Sequence, residues 1–267
     1  MTFYDFSKNI FLLIVLAYIA PFFIEGITQY YSHMIEPKTL IGIITINDEL
    51  SDSSLCIKHL HSFFKNPYIK GVLIKINCFN SSAGTSSLIF NELNYLKKEY
   101  PKPVITLIEN ICISGAYLIA SSSDYIIAPE TALIGGIGSY INQPELHALC
   151  QQHGIIYPKT TVKKLNLSTS EIKPTANDQQ FIKHIATARK LSLATASNWA
   201  DKKIFTGKQA LSLGLINAVG SMHTVITVLK EKALIDSEIE WIEKNIHYDS
   251  TPFSISSLVS KVQYLKV

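Results

Sequence analysis

Residues 103–128 read PVITLIENICISGAYLIASSSDYIIA, and this stretch decides the fold. It opens on an apolar, β-branched run at 103–108, the pattern of a buried strand. Small and apolar residues at 114–121 then fit a helix, and 125–128 (YIIA) fits a second strand. A strand, a helix and a strand in succession imply parallel strands joined by a crossover, because a hairpin cannot connect parallel strands.

Working outward, the same alternation continues toward the N-terminus. Residues 71–76 (GVLIKI) and 40–46 (LIGIITI) read as buried strands. Residues 55–64 have helical spacing and meet the stop signal Asn66-Pro67; residues 86–98 read as a helix ending in Lys97-Lys98. Beyond Gly138 the pattern changes. Residues 143–153 fit a helix, and 155–175 are polar and carry Lys159, Lys163, Lys164 and Lys173. Residues 177–200 carry a long helical pattern, and 205–220 read as a helix between two glycine signals. From about 240 onward no pattern is legible. The expected class is α/β, with a domain over 39–235, an N-terminal appendage over 1–38 and a tail over 236–267.

Composition supports a packed enzyme-like body. Of 267 residues, 47% are hydrophobic and 17% charged, enough apolar material for a core and too much for a disordered chain. The net charge of +3 is small and dispersed, which argues against nucleic-acid binding. Residues 10–24 are almost wholly apolar, between Lys8 and Glu25. A bilayer core takes roughly 20 such residues in a helix, with a lower limit near 17, and this run reaches the limit when extended through Ile27. No Ala-x-Ala cleavage site follows, so an uncleaved single-pass anchor is expected, with residues 28–38 as linker. Lys8 on the inner side and Glu25 on the outer side favour an exported body at the cell (inner) membrane.

Cys56, Cys78, Cys112 and Cys150 match no zinc spacing, and Cys78 and Cys112 lie in apolar runs that suggest buried thiols. The eight histidines form no pattern aimed at a nucleophile, and no carboxylate cluster completes a metal site. No metal and no cofactor are expected.

The chemistry centres on Ile111-Cys112-Ile113-Ser114-Gly115-Ala116-Tyr117. A serine between a strand and a helix, with glycine behind it, stands at the mouth of a sheet where helix N-terminal N–H groups can face developing negative charge. Alone, a Ser-Gly pair is more often a helix cap.

Three further segments raise its meaning. Asp124-Tyr125-Ile126-Ile127-Ala128 is followed by Gly135-Gly136-Ile137-Gly138. Far downstream come Lys203-Ile204-Phe205-Thr206-Gly207-Lys208-Gln209-Ala210 and Gly214-Leu215-Ile216-Asn217. In this order they resemble the signal peptide peptidase A group of membrane-anchored serine peptidases, over roughly residues 40–232. The resemblance implies a crotonase/Clp protease-like core with Ser114 as nucleophile and a lysine general base. It also implies a homo-oligomeric ring and peptide substrates bound in extended form. A serine hydroxyl needs a group that takes its proton, and lysine serves only when burial lowers its pKa. Matching Lys159 to the first lysine of the group's motif puts Lys164 on the base, with Lys163 next. An ungapped match from Ser114 falls near Asn166, which cannot act as a base.

The group also carries a Pro-Gly-Gly loop after its second strand, and here residues 77–82 are Asn-Cys-Phe-Asn-Ser-Ser. With Gly115, the backbone of Asn80 is the candidate oxyanion and substrate-binding donor, because asparagine tolerates left-handed geometry best among non-glycine residues. Two main readings follow. One is a serine endopeptidase with a Ser-Lys dyad that degrades signal peptides or other unfolded apolar peptides. The other is a catalytically impaired relative serving as a membrane-tethered peptide-binding or assembly scaffold. A third, acyl-CoA chemistry on the same core, fits poorly with an anchor.

Overall fold

The computed structural model describes residues 15–28, 38–138, 143–155, 176–200 and 202–245. Residues 15–28 form helix α1, whose Tyr18, Phe22 and Phe23 are 75%, 68% and 68% exposed. Among the described residues, no helix is long and apolar enough to cross a membrane. Residues 10–14 of the expected anchor lie outside the described residues.

The body begins with β1 (Thr39–Leu50), α2 (Ser54–Lys65), β2 (Ile69–Ser81), α3 (Ala83–Glu99), β3 (Val104–Ile113), α4 (Gly115–Ser121) and β4 (Tyr125–Ala128). β1, β2, β3 and β4 pair in parallel, as the alternation predicts. Side chains alternate between two buried faces. Ile44, Ile46, Ile74, Ile76 and Ile108 pack with α2, α3 and α4 residues such as Leu60, Phe63 and Leu93. On the opposite face Ile41, Ile43, Leu73, Ile105 and Leu107 pack with Val225, Val228 and Leu229 of α9 (Met222–Ala233). A sheet covered on both faces explains why its strands read as continuous apolar runs.

The edge of β3 away from β2 is divided. Its first half, Ile105–Leu107, pairs with β4, and its last residues, Ile111–Ile113, pair with β5 (Leu133–Gly135). The sheet forks there, with β4 leading to β7 (Ala218–Val219) and β5 to β6 (Ile204–Thr206). β6 runs antiparallel to β5, so the sheet is mixed. Ser114 directly follows the end of β3 that pairs with β5.

Several expectations change. The helix expected over 177–200 is α6 (Ala176–Arg189), a left-handed Lys190 (φ 56°), a 3₁₀ turn and the short α7 (Ala196–Trp199). The helix expected over 205–220 shrinks to α8 (Gly207–Ser212) between β6 and β7, because Gly214 (φ 73°) turns the chain and buries Leu215 and Ile216. Residues 77–82, expected as a loop, continue β2 to Ser81 and then supply Ser82 as the cap of α3. Without proline or glycine the backbone stays extended and pairs Asn77, Cys78, Asn80 and Ser81 with β1. The domain also runs past 235. Residues 239–245 form β8, parallel to β1 over Thr39–Thr45, so the first part of the expected tail belongs to the sheet. The pattern there was hard to read because β8 is an edge strand carrying Glu240, Glu243 and Lys244. Between β5 and α6 in the chain lies α5 (Gln143–Gln152), close to the expected span.

Candidate active site

Strand β3 ends at Ile113 and helix α4 starts at Gly115, so Ser114 is the whole junction. Its backbone is left-handed, with φ 56° and ψ −127°. For a non-glycine residue such geometry costs on the order of 1–3 kcal/mol and persists only when neighbours enforce it. Three backbone hydrogen bonds do so. The Ser114 N–H donates to the Gly135 carbonyl at 2.9 Å. Its own carbonyl accepts from Tyr117 and Leu118 N–H at 3.0 and 3.2 Å. Its hydroxyl does not cap α4, which leaves the half-buried side chain outside the helix's own bonding.

Gly115 is the second element. A Cβ built on it would run into the hydroxyls of Ser86 and Ser81, so the end of β2 and the start of α3 stand directly against the start of α4. Asn80 precedes Ser81 on β2. The Asn80 backbone is therefore one residue along the chain from the Ser81 side chain that touches Gly115. Lys164 and Lys163 lie outside the described residues, as does Lys159.

Tyr117 anchors α4 from below. It is wholly buried, and its hydroxyl donates to the Leu215 carbonyl at 2.7 Å. Burial pushes its pKa up, so it remains a neutral phenol and a donor. Arg189 stands beside it and donates to the Gly214 carbonyl (3.3 Å) and to Asn217 Oδ1 (2.8 Å). Burial lowers the Arg189 pKa, and the neighbouring Tyr117 works against that shift. Asn217 Oδ1 also accepts from Ile126 N–H at 2.9 Å, which ties the 214–217 turn to β4.

The downstream sequence phrase thus has a structural meaning. Thr206 and Gln209 form a capping box at α8, and Gly207 lies so close to the Pro129 carbonyl that no Cβ fits. Together these residues place the Leu215 carbonyl where Tyr117 needs it. Gly135 and Gly138 are both at positive φ, and Gly136 N–H donates to the Lys203 carbonyl at 2.8 Å. The glycine turn is therefore fixed on the same segment and presents the Gly135 carbonyl to Ser114.

Sequence reasoning named Ser114, Gly115 and Asn80 as candidates; the structure adds the neighbouring supports Tyr117, Leu215, Arg189, Ser81 and Ser86. The shared motif order was the available signal for Tyr117 and Leu215; the two serines carried none. The four cysteines are buried and form no disulfide. Burial raises the Cys56 thiol to about 12 and Cys112 well above its ordinary value, so neither is an activated nucleophile. Among the described residues no cluster of three metal-ligating side chains occurs.

The sequence profile of peptidase family S49 matches residues 96–236, which spans the junction, the glycine turn and the downstream phrase. A candidate protease of Methanocaldococcus jannaschii is 25% identical over 77% of this chain and 69% of its own. Protease 4 of Haemophilus influenzae is 26% identical over 74% of this chain and 35% of its own. The chloroplastic serine protease SPPA of Arabidopsis thaliana is 26% identical over 77% of this chain and 32% of its own. The chain thus spans about a third of the length of the last two. A ClpP protease catalytic domain from Plasmodium falciparum superposes with a TM-score of 0.46 at 16% identity, over 67% of this chain and 84% of that one.

Proposed function

We propose, for a chain that belongs to peptidase family S49, that it is a serine-type peptidase in which Ser114 attacks the scissile carbonyl. The observation that carries the reading is the left-handed backbone of Ser114 at the strand-to-helix junction. Strain enforced from several sides, on a serine whose hydroxyl is not spent on capping, is the signature of a positioned nucleophile. The Gly115 N–H at the start of α4 suits the role of oxyanion donor, and the Asn80 backbone across from it suits a second.

Lys164 is the proposed general base, with Lys163 as the alternative. The substrate is a signal peptide or another unfolded apolar segment, taken in extended form by strand addition. Residues 10–24 anchor the chain as a single membrane span with the body exported; the exposed apolar side chains of α1 support this. The crotonase/Clp protease-like core belongs to the same proposal, supported by the parallel β1–β4 order with intervening helices, and the homo-oligomeric ring follows from the resemblance to the signal peptide peptidase A group.

The test is active-site labelling of the full chain in detergent with a fluorophosphonate, with the adduct mapped by mass spectrometry. An adduct at Ser114 that is lost in Lys164→Ala or Lys163→Ala identifies the dyad. No adduct in any oligomeric preparation sinks the peptidase reading. The scaffold reading then takes its place, favoured by one observation: β2 stays paired with β1 through Ser81, where a freely bending loop would otherwise receive peptide.

A further inference from the structure

The hydroxyls of Ser81 and Ser86 form a short chain of fixed polarity against the residue that follows the nucleophile. Ser86 Oγ lies 2.5 Å from the Ser82 carbonyl oxygen, which can only accept. The single Ser86 proton is therefore committed there. The 3.0 Å contact between Ser81 Oγ and Ser86 Oγ must then be donated by Ser81. Both side chains are buried, Ser86 completely and Ser81 to 7% exposure, so neither bond is exchanged for water at low cost. Both oxygens stand where a side chain on Gly115 would be.

We propose that Ser81 and Ser86 are positioning residues for acyl transfer. They act as a hydroxyl brace that seats the Gly115 backbone, and through it keeps the Gly115 N–H aimed and Ser114 in its left-handed conformation. The inference rests on Ser114 being the nucleophile. Its physical logic is that the wedge has no rotational freedom: each proton has one acceptor, so the two oxygens cannot turn away from Gly115. Ser82, the cap of α3, closes the chain by offering its carbonyl to Ser86 and its own hydroxyl to Thr85 N–H at 3.1 Å. The brace thereby couples the end of β2, the start of α3 and the start of α4.

The polarity makes a graded prediction. Ser86→Ala removes both hydroxyl bonds and leaves the Ser82 carbonyl only its bond from Ser86 N–H (3.0 Å), whereas Ser81→Ala removes one. Because small misplacements of reacting groups cost up to about a hundredfold, Ser86→Ala should slow fluorophosphonate labelling of Ser114 about tenfold, and Ser81→Ala about threefold. Peptide KM should stay unchanged, since the brace does not touch substrate. Gly115→Ala should be severe in the wild-type background and milder in Ser86→Gly, which removes two of the three nearest atoms and the acceptor that holds the Ser81 hydroxyl in place; this coupling is read both in labelling rate and in Tm. A Ser86→Ala labelling rate equal to wild type, or losses from Gly115→Ala and Ser86→Gly that simply add in Tm, overturns the brace. If wild-type protein does not label at all, the nucleophile assignment fails instead, and the Tm cycle still decides whether the wedge exists.

Discussion

Two walls meet at the candidate site, and they are built on opposite principles. On the β3 side the ladder stops at Ile113, and one strained residue turns the chain into α4. On the β2 side the ladder runs on past the corresponding point, pairing Asn80 with Glu49 and Ser81 with Leu50 before α3 begins. The first wall concentrates strain at Ser114, the proposed nucleophile, and surrounds it with fixed supports. The second carries no glycine over 77–82 that would let its backbone bend toward a ligand, and it keeps a regular pairing instead. Reactivity and regularity have been divided between neighbouring strands. The chemistry of the whole then depends on how well the regular wall still serves the strained one.

The largest effect tests the strained wall. Ser114→Ala should lower labelling and peptide cleavage by at least about a thousandfold, as removal of a serine nucleophile does. Ser114→Gly should be equally inactive yet melt higher, because glycine relieves left-handed strain worth about 1–3 kcal/mol. A Tm for Ser114→Gly at or below wild type would mean the junction is not strained.

Next comes the support beneath that wall. Tyr117→Phe strands the buried Leu215 carbonyl, a loss of about 1–3 kcal/mol, visible as a lower Tm with slower labelling. An unchanged Tm would separate the downstream phrase from the nucleophile helix.

Thr206→Ala breaks the capping box at α8 and should cost about 1 kcal/mol in urea unfolding. Its effect on labelling should be small, because it reaches Ser114 only through Leu215 and Tyr117.

The smallest effect sharpens the regular wall. Asn80→Gly restores backbone freedom at the candidate oxyanion position and should raise the labelling rate about threefold, a gain of roughly 0.7 kcal/mol in the barrier. No gain would mean that pairing with Glu49, rather than the side chain at 80, holds that backbone.

Legibility in the sequence followed the strength of local patterns. The order of β1 to β4 with α2, α3 and α4 between them was readable because buried parallel strands are continuous apolar runs. β8 was not, because an edge strand mixes charge with apolar residues and its pairing partner lies far away in sequence. The helix read into 205–220 failed for a related reason: Leu215 and Ile216 are apolar because a turn buries them, not because a helical face does.

By itself, the sequence determined the α/β alternation, the apolar N-terminal run and the single Ser-Gly junction at 114–115, since each is written in neighbouring residues. Only the tertiary structure decided that the glycine turn, the 203–217 phrase and the Ser81–Ser86 pair all serve that junction. Their contacts join residues tens of positions apart. Such contacts depend on register and close packing between elements, which no local pattern encodes.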